Sequence, residues 1–115
     1  MPRINTRFAA GPLDDVVYRA AEVAGMPEVV ASRYEGGEFF WRWVTSSNGL
    51  GVRSVVLRIG PRPDGAFTAV VGVETCSHAP TPRPCRWEPI GQTTLPSFGA
   101  LDEEWLAAQL RRARA

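Results

Sequence analysis

Three successive segments between residues 38 and 75 are made of the residue types that favour β-strands, and only short connections separate the segments. Aromatic and β-branched residues, which favour strands, dominate these segments at 38–45, 52–59 and 66–75. Strands joined by short connections pair antiparallel, because a parallel pair needs a crossover of about a dozen or more residues. The pattern therefore predicts an antiparallel meander at the centre of the fold.

Helical periodicity appears at both ends of the chain. Pro12, at a first helical position, and Gly25, just beyond the last apolar position, delimit a predicted helix over 12–24. Its apolar stripe comprises Leu13, Val16, Val17, Ala20, Ala21 and Ala24. A second helix is predicted to begin near Asp102, which can cap its N-terminus. Two amphipathic helices can cover one face of the sheet.

Weaker strand signals flank the meander at 28–34 and 85–90. Pro89 predicts that the second of these is a short edge strand, since proline cannot donate to a central ladder. Residues 76–84, rich in proline, and 92–99 are predicted loops.

With 115 residues the chain suits one domain. We predict a single α+β domain over 1–115: a four- or five-stranded antiparallel meander, with an N-terminal and a C-terminal helix packed on one face, and residues 1–10 as an arm.

Alternation divides the strand side chains between two faces. The predicted core face carries Val55, Leu57, Ile59, Phe67, Val71 and Val73, with Phe39, Trp41 and Trp43 as further members. The opposite, outer face carries a mixture of apolar, arginine and carboxylate side chains: Phe40, Arg42, Val44, Ser54, Val56, Arg58, Thr68, Val70 and Glu74.

A mixed face of this kind is typical of an interaction surface, since protein interfaces favour arginine and aromatic residues. Either the outer face binds a partner, or residues 1–10 or the loop over 76–99 cover it. For the binding interpretation, the predicted contact residues are Arg42, Arg58, Trp87, Phe40 and Glu74. The competing explanation for the two arginines is that Glu74 pairs with one of them.

Charge and hydropathy exclude some classes of partner and cellular location. The formal net charge is only +1, which argues against a general nucleic-acid coat protein. No apolar run reaches the length of a membrane span, and the first residues lack the apolar segment of a signal peptide. All 13 basic residues are arginine, as a GC-rich genome would favour. We therefore expect a cytoplasmic protein of bacterial or phage origin, with no membrane association.

Cys76, His78 and Cys85 are the one cysteine and histidine group in the sequence. Three ligands fall short of the four that structural zinc prefers, so we predict no metal site. A Cys–His nucleophile pair lacks a third residue to orient it. For a cytoplasmic chain we expect two reduced, unreactive thiols, with a disulfide as the second choice in an oxidising compartment.

No arrangement of residues in the sequence is typical of catalysis. Glycines at 49 and 51 form no phosphate-binding loop, and no nucleophile-elbow motif surrounds Ser46 or Ser47. Paired carboxylates at 14–15 and 102–104 fall in first helical turns, where the helix dipole favours them. We predict no catalytic residue and no cofactor, and lean toward a non-enzymatic protein.

The leading hypothesis is a protein that acts by binding another protein, as immunity proteins, inhibitors and chaperones do; a homodimer is left open. One alternative is a nucleic-acid-binding accessory protein that uses Arg42, Arg53, Arg58, Arg83 and Arg86. The other is a small-ligand or enzymatic domain, with a pocket between sheet and helices lined by Trp41, Trp43 and Trp105.

Overall fold

The computed structural model of the chain describes residues 11–77 and 85–115. In chain order its elements are α1 (Gly11–Val23), β1 (Val29–Glu35), β2 (Glu38–Asn48), β3 (Gly51–Pro61), β4 (Phe67–Ser77), β5 (Arg86–Leu95), a 3-10 turn (Phe98–Ala100) and α2 (Glu103–Arg114). The five strands form one antiparallel sheet in the order β1-β2-β3-β4-β5. The predicted α+β meander with a helix at each end is confirmed.

Short turns connect β1 to β2, β2 to β3 and β3 to β4. Gly36 and Gly37 link β1 to β2 with φ angles of 61° and 84°, a left-handed conformation that glycine adopts without steric cost. Between β3 and β4, the carboxylate of Asp64 accepts a hydrogen bond from the backbone N–H of Ala66 at 3.0 Å. That hydrogen bond holds the pKa of Asp64 below its ordinary value.

Two strands are longer than the sequence pattern predicts. β2 continues to Asn48, whose side-chain oxygen accepts the backbone N–H groups of Leu50 and Gly51, so the predicted loop at 46–49 is mostly strand. β5 continues to Leu95, so the predicted loop at 92–99 is wrong over its first four residues.

β5 pairs with β4 along its whole length, from Arg86 to Leu95. As predicted, Pro89 lies on an edge strand, and a register shift between Val71 and Gly72 accommodates it. Gly91 pairs with Val71, and α2 packs so closely over it that a Cβ atom there would lie 2.1 Å from the side-chain oxygen of Gln109.

Both helices pack on one face of the sheet, and the buried apolar side chains form a single core. The predicted core face is confirmed, with Phe39 and Phe67 at its partly exposed border. The largest fully buried side chains are those of Trp41 and Trp43. The indole N–H of Trp41 donates to the buried carboxylate of Asp14 at 2.8 Å. Asp14 therefore satisfies a buried donor, a role beyond the dipole interaction that the sequence predicts.

Arginine side chains bind the last carbonyl groups of both helices. Arg53, on β3, donates to the carbonyl of Ala113 at 2.6 Å, and Arg114 donates to the carbonyl of Ala24 at 2.8 Å. Such carbonyls lack partners within their own helix. These two arginines thus fasten the helix ends to the rest of the fold.

In the described ranges, no helix has both the length and the apolar character needed to cross a membrane. The predicted arm at 1–10 lies outside the described residues, as does most of the predicted proline-rich loop, from His78 to Pro84.

Candidate functional site

The five predicted contact residues lie on the outer face, the side of the sheet opposite the helices. They come from four adjacent strands, and the register aligns them in pairs. Phe40 of β2 stands opposite Arg58 of β3, and Glu74 of β4 stands opposite Trp87 of β5. Arg42 lies two residues after Phe40 on β2 and therefore on the same face. Within residues 11–77 and 85–115, no helix or strand packs over this face.

Arg42 and Glu74 form an ion pair across the outer face, bonded through Nη1 and Oε1. Both side chains are largely covered, with 29% and 27% exposed. Beneath them lie Val56 and Ser54, which are 3% and 2% exposed. This part of the outer face is thus a small packed layer. Arg42 also has a structural role, since it pairs with Glu74, and this role competes with the predicted contact role.

Arg58 makes a second ion pair, with Glu38 at the start of β2. Its Nε and Nη2 atoms donate to Oε1 of Glu38 at 3.2 Å and 2.7 Å. Its guanidinium carbon lies 5.6 Å from the ring centroid of Trp87, within the range of a cation–π interaction. Sequence reasoning missed Glu38, although its alternation with Phe40 and Arg42 along β2 placed it on this face.

Trp87 is the exposed aromatic residue of this surface, with 37% of its area accessible. Its ring packs over the backbone of Gly72, on the neighbouring strand. A Cβ atom at Gly72 would lie 2.5 Å and 2.6 Å from two ring carbons, far inside van der Waals contact. The indole is therefore held in a notch that glycine provides.

A third arginine, Arg33 on β1, completes the pattern. Its Nε lies 2.9 Å from a carboxylate oxygen of Glu35, and its guanidinium carbon lies 4.8 Å from the ring centroid of Phe40. Arg33, Arg42 and Arg58 thus each have a carboxylate partner on the same face. Because the charges cancel in pairs, this surface offers no excess positive charge to a polyanion.

A cleft of about 480 Å³ opens on the outer face, between the β1–β2 turn and Trp87. We call it the outer cleft; it is lined by Gly36, Gly37, Glu38, Arg58, Gly60, Pro61, Thr68, Val70 and Trp87. The Arg58–Glu38 pair thus stands in the cleft with an aromatic ring beside it. No sequence pattern predicts this cleft, because its lining combines four strands and one turn.

Cys76 and Cys85 form a disulfide, so the prediction of two reduced thiols is wrong. The bond follows directly from strand register. Thr75 pairs with Arg86 at the end of the β4–β5 ladder, and the next two residues in the same register are the cysteines. The sequence carried this signal, but only once 66–77 and 86–95 are recognised as paired strands.

The disulfide also bears on metal binding. In the described part of the chain, one cluster has metal-ligand chemistry: Glu74, Cys76 and Cys85, whose ligand atoms all lie within 4.8 Å of one another. Both sulfur atoms are engaged in the disulfide and the carboxylate is engaged by Arg42. In this oxidised form the cluster offers no thiolate to a metal ion. His78 lies outside the described residues.

The arginines named for nucleic-acid binding and the tryptophans named for a ligand pocket do not come together as one site. Arg53 is committed to the end of α2, Arg86 lies exposed on the edge strand, and Arg83 is outside the described residues. Trp41 and Trp43 are each 1% exposed within the core, and Trp105 is partly buried against it.

Comparison with known proteins adds no assignment. No protein-family model matches the chain, and neither a curated protein nor a solved structure matches it significantly. The functional conclusion therefore rests on the geometry of the outer face.

Proposed function

We propose that this protein acts by binding another protein through the outer face, without catalysing a reaction. Its class is that of small immunity, inhibitor or chaperone-like proteins, which work by occluding or holding a partner. The observation that supports this proposal most is the exposed indole of Trp87 beside the guanidinium of Arg58, on a sheet face that no helix or strand of the described residues covers. Tryptophan and arginine are the residue types most enriched at binding hot spots.

The fixed position of Trp87 favours binding. Ordering a mobile side chain in an interface costs about 0.5–1.5 kcal/mol. The notch at Gly72 and the contact with Arg58 already restrict the ring in the free protein. Binding then loses less entropy than it would at a freely rotating surface tryptophan.

Phe40, Arg42 and Glu74 extend the contact surface away from Trp87. Arg42 and Glu74 are half-buried and paired, so they present a defined arrangement of donors and acceptors to a partner. Charge-assisted hydrogen bonds of this kind are about twice as strong as neutral ones. We assign to this pair the role of fixing the orientation of the partner.

The balance of charge supports a protein partner over a nucleic acid. Binding to a phosphate backbone needs arginines or lysines that are free to neutralise phosphates. On this face the three arginines already have carboxylate partners at 2.9 Å or less. A protein surface with charges of both signs matches this pattern better.

The disulfide bears on where the protein works. Structural disulfides persist in oxidising compartments and are rare in the reducing cytoplasm. The expected cytoplasmic location stays a prediction, and the Cys76–Cys85 bond weighs against it. The bacterial or phage origin expected from the arginine usage also stays a prediction.

Site-specific photo-crosslinking in cells of the source organism tests the proposal. A benzophenone amino acid replaces Gln92, which is exposed on the outer face, or Ala108, which is exposed on α2, as the matched control. We expect the probe at position 92 to crosslink to one dominant protein, and the probe at position 108 not to crosslink to it. Adding Trp87→Ala should abolish the crosslink from position 92. Adducts from position 108 alone, or the same adducts from both positions, would contradict the proposal.

A further inference from the structure

We infer that the partner inserts a carboxylate into the outer cleft, where it binds Arg58 in place of Glu38, with an adjoining apolar side chain against Trp87. The partner segment is therefore acidic, with an aspartate or glutamate next to an apolar residue. This inference rests on the proposed function, whose binding face contains the cleft.

The Arg58–Glu38 pair does not use the strongest geometry that an arginine can form with a carboxylate. Two guanidinium nitrogens of Arg58 donate to a single oxygen of Glu38, Oε1. The strongest arginine–carboxylate geometry is a fork, in which two nitrogens each face a separate oxygen. The second oxygen of Glu38 is directed instead toward Gly60, where an added Cβ atom would lie 2.9 Å from it. A free carboxylate entering the cleft is not tethered to β2 and can adopt the fork.

Exchange of Glu38 for a partner carboxylate costs little. The side chains of Arg58 and Glu38 are 47% and 37% exposed, and exposed ion pairs contribute little to stability. The Arg42–Glu74 pair is more deeply covered, at 29% and 27%, and does not line the cleft. The Arg33–Glu35 pair is more exposed, at 49% and 63%, but it also lies outside the cleft, so Arg58 is the arginine of the cleft whose carboxylate is readily replaced.

The volume and lining of the cleft match one short acidic segment. About 480 Å³ lies within the range of ordinary ligand sites and accommodates an acidic side chain with its neighbour. Trp87, Val70 and Pro61 supply apolar surface around Arg58. The Gly36-Gly37 turn carries no side chain that would close the opposite end.

A singly charged carboxylate fits the local charge better than a phosphate or a cation. After displacement, Glu38 stays tethered near the cleft and repels a second negative charge. A partner cation would have to compete with Arg58 for Oε1 of Glu38, which already accepts two hydrogen bonds. Both considerations select a monoanion that binds Arg58.

The test titrates the isotope-labelled protein with blocked tripeptides while the side-chain N–H signals of Arg58 and Trp87 are followed by NMR. The probes are leucine-glutamate-leucine, its glutamine counterpart as the matched control, and a phosphoserine counterpart. The test variants are Glu38→Gln and Arg58→Lys. The control variant is Glu103→Gln, which removes the carboxylate of the exposed Arg19–Glu103 ion pair on the helix side.

We expect saturable shifts with the glutamate tripeptide and binding at least tenfold weaker with glutamine. Glu38→Gln should tighten glutamate binding about threefold, because it removes a weak internal competitor. Arg58→Lys should weaken it at least fivefold, because lysine cannot form the fork. Glu103→Gln should leave affinity unchanged.

Weaker or unchanged binding in Glu38→Gln, equal binding of the glutamine probe, or preference for the phosphoserine probe would overturn the carboxylate assignment. If the tripeptides fail while position 92 still crosslinks to a partner, the carboxylate assignment alone is wrong. If both fail, the proposed function is wrong as well.

Discussion

Replacing Gly72 with alanine should dislodge Trp87, and this substitution tests how the candidate site is held together. The new Cβ atom would lie 2.5 Å from one ring carbon of Trp87 and 2.8 Å from the backbone oxygen of Glu88. Carbon atoms pack at about 3.5–4.0 Å, so something must move. The indole is the group that can be displaced, because it is partly exposed on an edge strand.

The magnitude follows from the buried area of the ring. Trp87 is 37% exposed, so roughly two-thirds of a side-chain area of about 250 Å² is covered. Full displacement would expose about 160 Å², which at about 25 cal/mol per Å² costs at most about 4 kcal/mol. A partial tilt costs less, and overpacking typically costs about 1–3 kcal/mol. We expect Gly72→Ala to lower the free energy of unfolding by about 2–3 kcal/mol.

A double-mutant cycle followed by urea denaturation and circular dichroism isolates the contact. In a Trp87→Ala background, Gly72→Ala should cost at least about 1 kcal/mol less than in the wild type, since only the conflict with the backbone oxygen of Glu88 remains. Gly49→Ala, where a Cβ atom meets nothing within 4 Å, is the matched control and should change stability little. Equal costs of Gly72→Ala in both backgrounds would refute the notch.

Three further predictions concern stability and use chemical denaturation. Leu57 is 0% exposed in the core, and Leu57→Ala should lower the free energy of unfolding by about 3–4 kcal/mol. Val56 is 3% exposed on the outer face, and Val56→Ala should lower it by about 1.5–2.5 kcal/mol. The reverse order would contradict the assignment of faces. Asp14→Ala should cost about 1–3 kcal/mol, because it leaves a buried indole N–H without its acceptor, and a negligible loss would contradict that role. Replacing Cys76 and Cys85 with serine should cost about 2–3 kcal/mol, and a reducing agent should destabilise the wild type but not this variant; an unaffected wild type would argue against the disulfide.

Alternation of side chains determined how much of the fold the sequence could predict. Successive residues of a strand point to opposite faces, so Leu57 and Val56 were separated without knowledge of the strand order. The ends of strands were harder to predict. The local pattern at 92–95 predicts a loop, yet these residues continue β5 because they pair with β4, which is distant in sequence.

The residues of the candidate face were predictable, and so was Glu74 as a partner for one of its arginines, but the partners of Arg58 were not. Arg58 could be placed on the outer face from its position in the strand alone. Its pairing with Glu38 and its proximity to Trp87 depend on the register between strands and on the rotamers of long side chains. The disulfide was missed for a related reason: Cys76 and Cys85 become neighbours only when the β4–β5 register is known.

Calorimetry with the partner identified by crosslinking tests the central claim most directly, that the outer face binds a protein. Arg42→Ala and Arg58→Ala should each weaken binding about thirtyfold, the loss of roughly 2 kcal/mol expected at a hot spot. Circular dichroism should show that both variants keep the fold. Arg111→Ala, exposed on α2, should leave affinity nearly unchanged. Unchanged affinity in both outer-face variants would contradict the account and place the binding surface elsewhere on the molecule.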